Sequence, residues 1–231
     1  MDSTDQKYSN DDGYLDRVLN LLHSEEWQLL SGTKHQDVVE KLNLLDRIGA
    51  PPMLVISADC LHKKGYIPRF DEGAAIDARS ALGDNSSGTV LAFLSHRWLG
   101  GNHPDDEDGG TKYRALLHWS QWYETIYSKT RTRKLYFWID WSCMDQDDSH
   151  NIDKGVKSLP LYVSVCNDFL CYQTPDYEGR AWCQVDRVIA YAFTFAGKIL
   201  GSLTPSLRRL WLSALSINLA MLIAMGRKNN W

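Results

Sequence analysis

The sequence has little of what usually assigns a chain at a glance. Its five cysteines (Cys60, Cys143, Cys166, Cys171 and Cys183) contain no CxxC pair. A structural zinc site needs paired Cys/His spacings, so no metal is expected, and an odd cysteine count cannot close into a full disulfide framework. Neither GxGxxG nor a GxxxxGKS/T string occurs, which excludes the two standard glycine-rich phosphate cradles. The acidic run Asp105–Asp108 has Leu116 where a calcium loop opened at Asp105 would carry its glutamate, so it reads as a solvated loop. No segment reaches the roughly 18–20 apolar residues of a membrane span; the nearest approach, Leu210–Met225, is broken by Ser213, Ser216 and Asn218. Basic excess is missing too: 25 Lys and Arg against 29 Asp and Glu leave a net charge of −4, the wrong sign for a non-specific nucleic-acid binder. There is no internal repeat. Met1 leads into Asp2, Asp5, Asp11 and Asp12 rather than an apolar leader, so the expectation is a cytoplasmic protein with reduced thiols.

What is present is a globular composition, 44% apolar and 23% charged, with nine tryptophans and eleven tyrosines in 231 residues. Such an aromatic load suits a packed core or a stacking site. Residues 1–12 form an acidic tail. Residues 13–87 read as a helical extension and connector. Leu15, Val18, Leu19 and Leu22 recur at helical spacing, as do Val38, Leu42, Leu45 and Ile48, while residues 51–88 lose all periodicity. From residue 88 the pattern becomes regular. Val90–Ser95, Leu135–Ile139 and Phe169–Tyr172 are short apolar runs of the kind found in strands buried on both faces, with a candidate fourth strand at Lys198–Leu203. Between them lie helical patterns: one with Leu116, Trp119, Tyr123, Ile126 and Tyr127 on a single face, one near Asp153–Cys166 and one near Gly179–Ala196, followed by a C-terminal helix near Pro205–Met225. Strands alternating with helices predict an α/β domain over residues 88–231, a parallel sheet flanked by helices.

In such sheets ligands bind beyond the carboxyl ends of the strands, so the polar residues there are the candidates. The first strand opens into Ser95-His96-Arg97-Trp98, where a guanidinium can clamp a phosphate and an indole can stack on a base. The second opens into Asp140-Trp141-Ser142-Cys143, whose acid can hold ribose hydroxyls or act as a base. Cys143 or Cys183 beside His96 would make a thiol–imidazole pair. Asp147 and Asp148 read as a turn or helix cap. Trp182 and Asp186, four residues apart on one helical stripe, set a carboxylate beside an aromatic plate. For each of these a structural role in capping or core packing stands as the alternative.

Phe93-Leu-Ser-His-Arg-Trp98 resembles the opening strand and loop of TIR domains, and Trp182-Cys183 followed three residues later by Asp186 resembles their WCxxE helix. Trp138-Ile-Asp-Trp-Ser-Cys-Met-Asp-Gln-Asp-Asp148 is similar to the WIDxxCINQxD signature of the fungal heterokaryon-incompatibility domain, a distant TIR relative. The resemblance spans about residues 88–196. It implies a flavodoxin-like sheet, a part in innate-immune or self-recognition signalling, self-association through TIR-like surfaces, and cleavage of NAD at its nicotinamide–ribose bond. On that reading Asp186 is the catalytic carboxylate, one methylene shorter than the family's glutamate, and Ser95, His96, Arg97, Trp98, Asp140, Trp141, Cys143 and Trp182 form the nucleotide-binding edge. The alternatives it leaves open are a non-catalytic interaction module and a sensor of a nucleotide-derived signal.

Overall fold

The computed structural model describes residues 13–30, 35–83, 88–99, 103–105, 110–127, 134–175, 177 and 181–190. The expected strand at Lys198–Leu203 and helix at Pro205–Met225 lie outside them.

Three of the expected strands form where apolar runs demanded them: β3 (Thr89–His96), β4 (Lys134–Trp138) and β5 (Asp168–Tyr172). They are preceded by β1 (Leu54–Ser57) and β2 (Ile76–Asp77), and the five make one sheet in the order β2-β1-β4-β3-β5. β3 runs parallel to β4 and β5, whereas β1 is antiparallel to β4 and to β2. The sheet is therefore mixed and mostly parallel, an α/β architecture of flavodoxin-like type, its parallel strands lying in the order second-first-third.

The two added strands correct the reading of residues 51–88 as an irregular connector. Met53-Leu-Val-Ile56 is too short to show a period, and its pairing partner, β4, is some eighty residues distant in the chain. That stretch also holds α4 (Ala58–Lys64), capped by the Ser57 hydroxyl accepting from the Cys60 N–H at 3.0 Å, a 3-10 turn (Phe70–Glu72) and α5 (Ala78–Leu82). The expected helices at the N-terminus appear as α1 (Tyr14–His23) and α3 (His35–Arg47), with the short α2 (Glu25–Leu29) between them.

The alternation of side chains along the strands divides the core in two. Leu91 and Phe93 of β3, with Tyr136 and Trp138 of β4, face α1, α3, α5, α8 (Ser149–Val165) and α9 (Ala181–Ala190). Val90, Ala92 and Leu94, with Leu135, Phe137 and Ile139, face α4 and α6 (Thr111–Tyr127). The first face carries an aromatic row: Phe93 stacks on Trp138 at 4.5 Å between ring centres and on Phe169 at 5.7 Å. Each such pair adds about 0.5–1.5 kcal/mol to its buried area. Asn167 locks the register at the start of β5, since its amide N–H donates to Leu91 O and its side-chain Oδ1 accepts from Leu91 N, both at 2.8 Å. The N-terminal helices share this core. Tyr14 and Ser158 bond through their hydroxyls at 2.5 Å, tying α1 to α8.

Candidate functional site

Strand alternation also decides which way the residues at the end of β3 point. Ser95 continues the Leu91–Phe93 face, so it looks toward α9; His96 continues the Leu94 face, so it looks toward α6. Two neighbouring clusters result.

The first is built on α9. Cys183, Asp186, Ile189 and Ala190 follow one another at steps of three, three and one along one stripe of the helix, the three apolar residues buried against the sheet and Asp186 half-buried among them. Asp186 thus occupies a position where its neighbours are apolar, and a buried carboxyl there needs a donor. Ser95, fully buried, supplies one: its Oγ donates to Asp186 Oδ2 at 2.8 Å and sits 2.6 Å from the Tyr177 hydroxyl. The other oxygen, Oδ1, is buried without a hydrogen-bond partner among the described residues. Burial pushes the Asp186 carboxyl up to about 7; the Ser95 bond works against this and the charge of Asp140 works with it.

The second cluster surrounds Asp140, the first residue of the short α7 (Asp140–Cys143) directly after β4. Its Oδ1 contacts His96 Nε2 at 2.8 Å and accepts from the Trp141 amide at 2.7 Å, while Oδ2 accepts from Trp98 Nε1 at 3.0 Å. Burial would raise this carboxyl, but His96, the Trp98 indole and the Trp141 amide outweigh it and hold Asp140 below the ordinary range. The side chain remains 34% exposed. Trp98 and Trp141 meet edge to face at 5.2 Å, and His103 lies against Trp141 at 5.3 Å. The Arg69 guanidinium, anchored to Asp147 at 2.6 Å, stands over the Trp141 ring at 5.5 Å.

Ser95, His96, Trp98, Asp140, Trp141 and Asp186 are accordingly gathered at one edge of the sheet. Arg97 contributes its carbonyl, which accepts from Lys112 Nζ at 2.8 Å. Trp182 is on α9 four residues before Asp186; its side chain lies outside the described ones. Cys143 is not part of the group. One turn of α7 rotates it inward among Trp138, Leu159 and Tyr162, and burial drives its thiol up to about 12, so it forms no thiol–imidazole pair with His96. Asp148 caps α8, accepting from the His150 and Asn151 amides at 2.9 and 3.2 Å.

Four contributors were not visible from the sequence reading: Tyr177, His103, Arg69 and Lys112. Of these only Lys112 left a signal, a cation in the first turn of α6, where the helix dipole disfavours it. In the acidic run before α6, Asp105 departs from its reading as part of a solvated loop, while residues 106–108 lie outside the described ones. Asp105 is buried and caps the helix, its two oxygens accepting from the Lys112 and Tyr113 amides at 2.8 Å each. Gly110, at φ 69°, makes that cap possible, because a Cβ there would stand 3.3 Å from Tyr113 Cβ and 3.4 Å from the Asp105 carboxylate.

Among the described residues no group of His, Cys, Asp and Glu could hold a metal ion, and no helix is long and apolar enough to cross a membrane. No protein-family model, no curated protein and no solved structure matches the chain.

Proposed function

We propose that the chain is a TIR-like domain that cleaves NAD at the nicotinamide–ribose bond, with Asp186 as the catalytic carboxylate. The observation that carries the reading is a pair of carboxylates at one edge of the sheet, Asp140 just beyond β4 and Asp186 on α9 against Ser95 of β3, whose surroundings push them in opposite directions. Asp140 is held as an anion, and Asp186 titrates at about 7 with one buried oxygen left without a partner. Divergent carboxylates of this kind are how protein sites divide acid–base and electrostatic tasks.

The chemistry asks for little else. Nicotinamide leaves as a neutral ring, so no acid need protonate it. The C1′–N bond breaks with its electron pair going to the pyridinium nitrogen, and the ribose develops oxocarbenium character, which an ionised carboxylate stabilises. Water then adds to C1′ and releases a proton, giving ADP-ribose and nicotinamide. Asp186 performs this role when ionised, so kcat/KM rises with pH through about 7. The Trp98–Trp141 corner offers aromatic faces beside Asp140. Incubation of the purified chain with NAD, at low and high protein concentration, should release nicotinamide in wild type and not in Asp186→Ala. Absence of release at every concentration, or unchanged release in the variant, contradicts the reading.

A second reading, a non-catalytic module that works by self-association, draws on two exposed apolar side chains, Leu29 at 80% and Trp122 at 54%. It expects concentration-dependent light scattering with NAD left intact.

A further inference from the structure

A fully buried lysine stands at this edge without a part in the proposed chemistry. Lys112 is 0% exposed and lies in the first turn of α6, so its ammonium suffers both desolvation and the unfavourable end of the helix dipole. Among the described residues, three acceptors reach its Nζ: His96 Nδ1 at 2.7 Å, Arg97 O at 2.8 Å and Pro104 O. The Tyr172 ring at the end of β5 lies 5.7 Å away, within cation–π range. Asp105, whose carboxylate caps the same turn, fixes the start of the helix that carries it.

The position of Nζ determines the state of His96. An ammonium only donates, so Nδ1 must offer its lone pair and the ring proton must be on Nε2, the nitrogen 2.8 Å from Asp140 Oδ1. Passing the shared proton from Nζ to Nδ1 leaves Nε2–H in place, so both distributions present a donor to Asp140. Asp140 in turn holds the Trp98 indole and the Trp141 amide. A continuous chain of bonds therefore runs from α6 through β3 to the aromatic corner.

We propose that Lys112 is a positioning residue of this site: seated against His96 and the Arg97 and Pro104 carbonyls, it turns His96 Nε2–H onto Asp140 and so sets where that carboxylate and the Trp98 and Trp141 indoles stand. The placement rests on geometry, and only its consequence for turnover rests on the NAD-cleaving reading. His96 is almost closed to solvent, at 2%, so no water competes for its ring nitrogens.

The test reads the histidine ring directly. Long-range 1H–15N correlation on the wild-type chain should show His96 protonated at Nε2, with that proton protected from exchange. In Lys112→Met, which keeps the length of the side chain and removes the donor, Asp140 still accepts from Nε2–H, so the proton should stay on Nε2 but lose its protection, and the Trp98 indole and Trp141 amide resonances should shift. Nicotinamide release, where the wild type gives it, should fall by about 10²-fold in kcat/KM, the scale of an ångström-sized misplacement. A wild-type ring protonated only at Nδ1 overturns the proposal, and needs no variant. So does a folded Lys112→Met chain whose Nε2 proton stays as protected as in wild type and whose Trp98 indole and Trp141 amide resonances do not move. A chain that turns over no NAD, yet shows the expected ring states, retires the enzymatic reading and leaves Lys112 as assigned.

Discussion

Asp186→Asn keeps the shape of the side chain and a carbonyl oxygen for Ser95 to donate to, and removes the titration. In the folded chain burial, aided by the charge of Asp140 and opposed by the Ser95 bond, holds the carboxyl at about 7, while an Asp in the unfolded chain titrates near ~3.9. Between those values the native state retains a proton that the unfolded state has released, so stability falls as pH rises. The loss begins at the unfolded value and is complete above the folded one. At about 1.36 kcal/mol per unit, the full interval of roughly three units amounts to about 4 kcal/mol. Between pH 5 and 8 about two of those units are crossed, or about 3 kcal/mol, which for a chain of this size is roughly 5–10 °C in Tm. The asparagine amide adds a constant cost of its own, because it places a donor where Oδ1 has no partner. The measure is therefore the pH dependence of the difference, not its sign at any one pH. Thermal unfolding followed by circular dichroism should show the variant gaining on wild type as pH rises from 5 to 8. Parallel curves over that range would refute the assignment of a raised carboxyl.

The same geometry fixes three smaller outcomes. Ser95→Ala removes the hydroxyl bond that favours the ionised form of Asp186, so the 13C-detected titration of that carboxyl should move upward; a downward shift would count against the contact. Asp105→Ala deprives α6 of its cap on two amides and should cost about 1–2 kcal/mol in urea unfolding, only part of it restored by Asp105→Asn, whose single carbonyl oxygen can accept from one of the two. Iodoacetamide at pH 8 should modify the partly exposed Cys60 in the native chain and spare Cys143 and Cys166, both buried and with thiols driven upward; mass-spectrometric detection of alkylated native Cys143 would contradict its inward placement.

Where periodicity was strong, the sequence was sufficient. Val90–Ser95 and Leu135–Ile139 could only be buried strands, and the alternation within them already divides the two cores and turns Ser95 and His96 to opposite faces. β1 and β2 were hidden because a four-residue and a two-residue strand carry no period and depend on distant partners for their existence. At the site, the strand-end rule found Ser95 and Asp140 without any contact information, and helical spacing with the WCxxE resemblance found Asp186. The rule names a position, however, and says nothing of what else converges there. Tyr177 and Arg69 reach the site from irregular segments, and the chain distance between Lys112 and Asp140 conceals their link through His96. Cys143 was misplaced for a related reason: the strand-end rule extends only to the first residue or two, and the following helical turn points its fourth residue into the core.

The account turns on two carboxylates with opposite protonation at one sheet edge. Labelling the aspartate side-chain carboxyls with 13C and titrating the native chain from below pH 4 to 8 reads both at once. Asp186 should give a midpoint near 7, and Asp140 a midpoint below that of an ordinary aspartate. If instead both carbons titrate together near pH ~3.9, the value of an unperturbed aspartate, the two groups do not sense the burial and charge described here, and the predicted rise of kcat/KM through about 7 loses its basis.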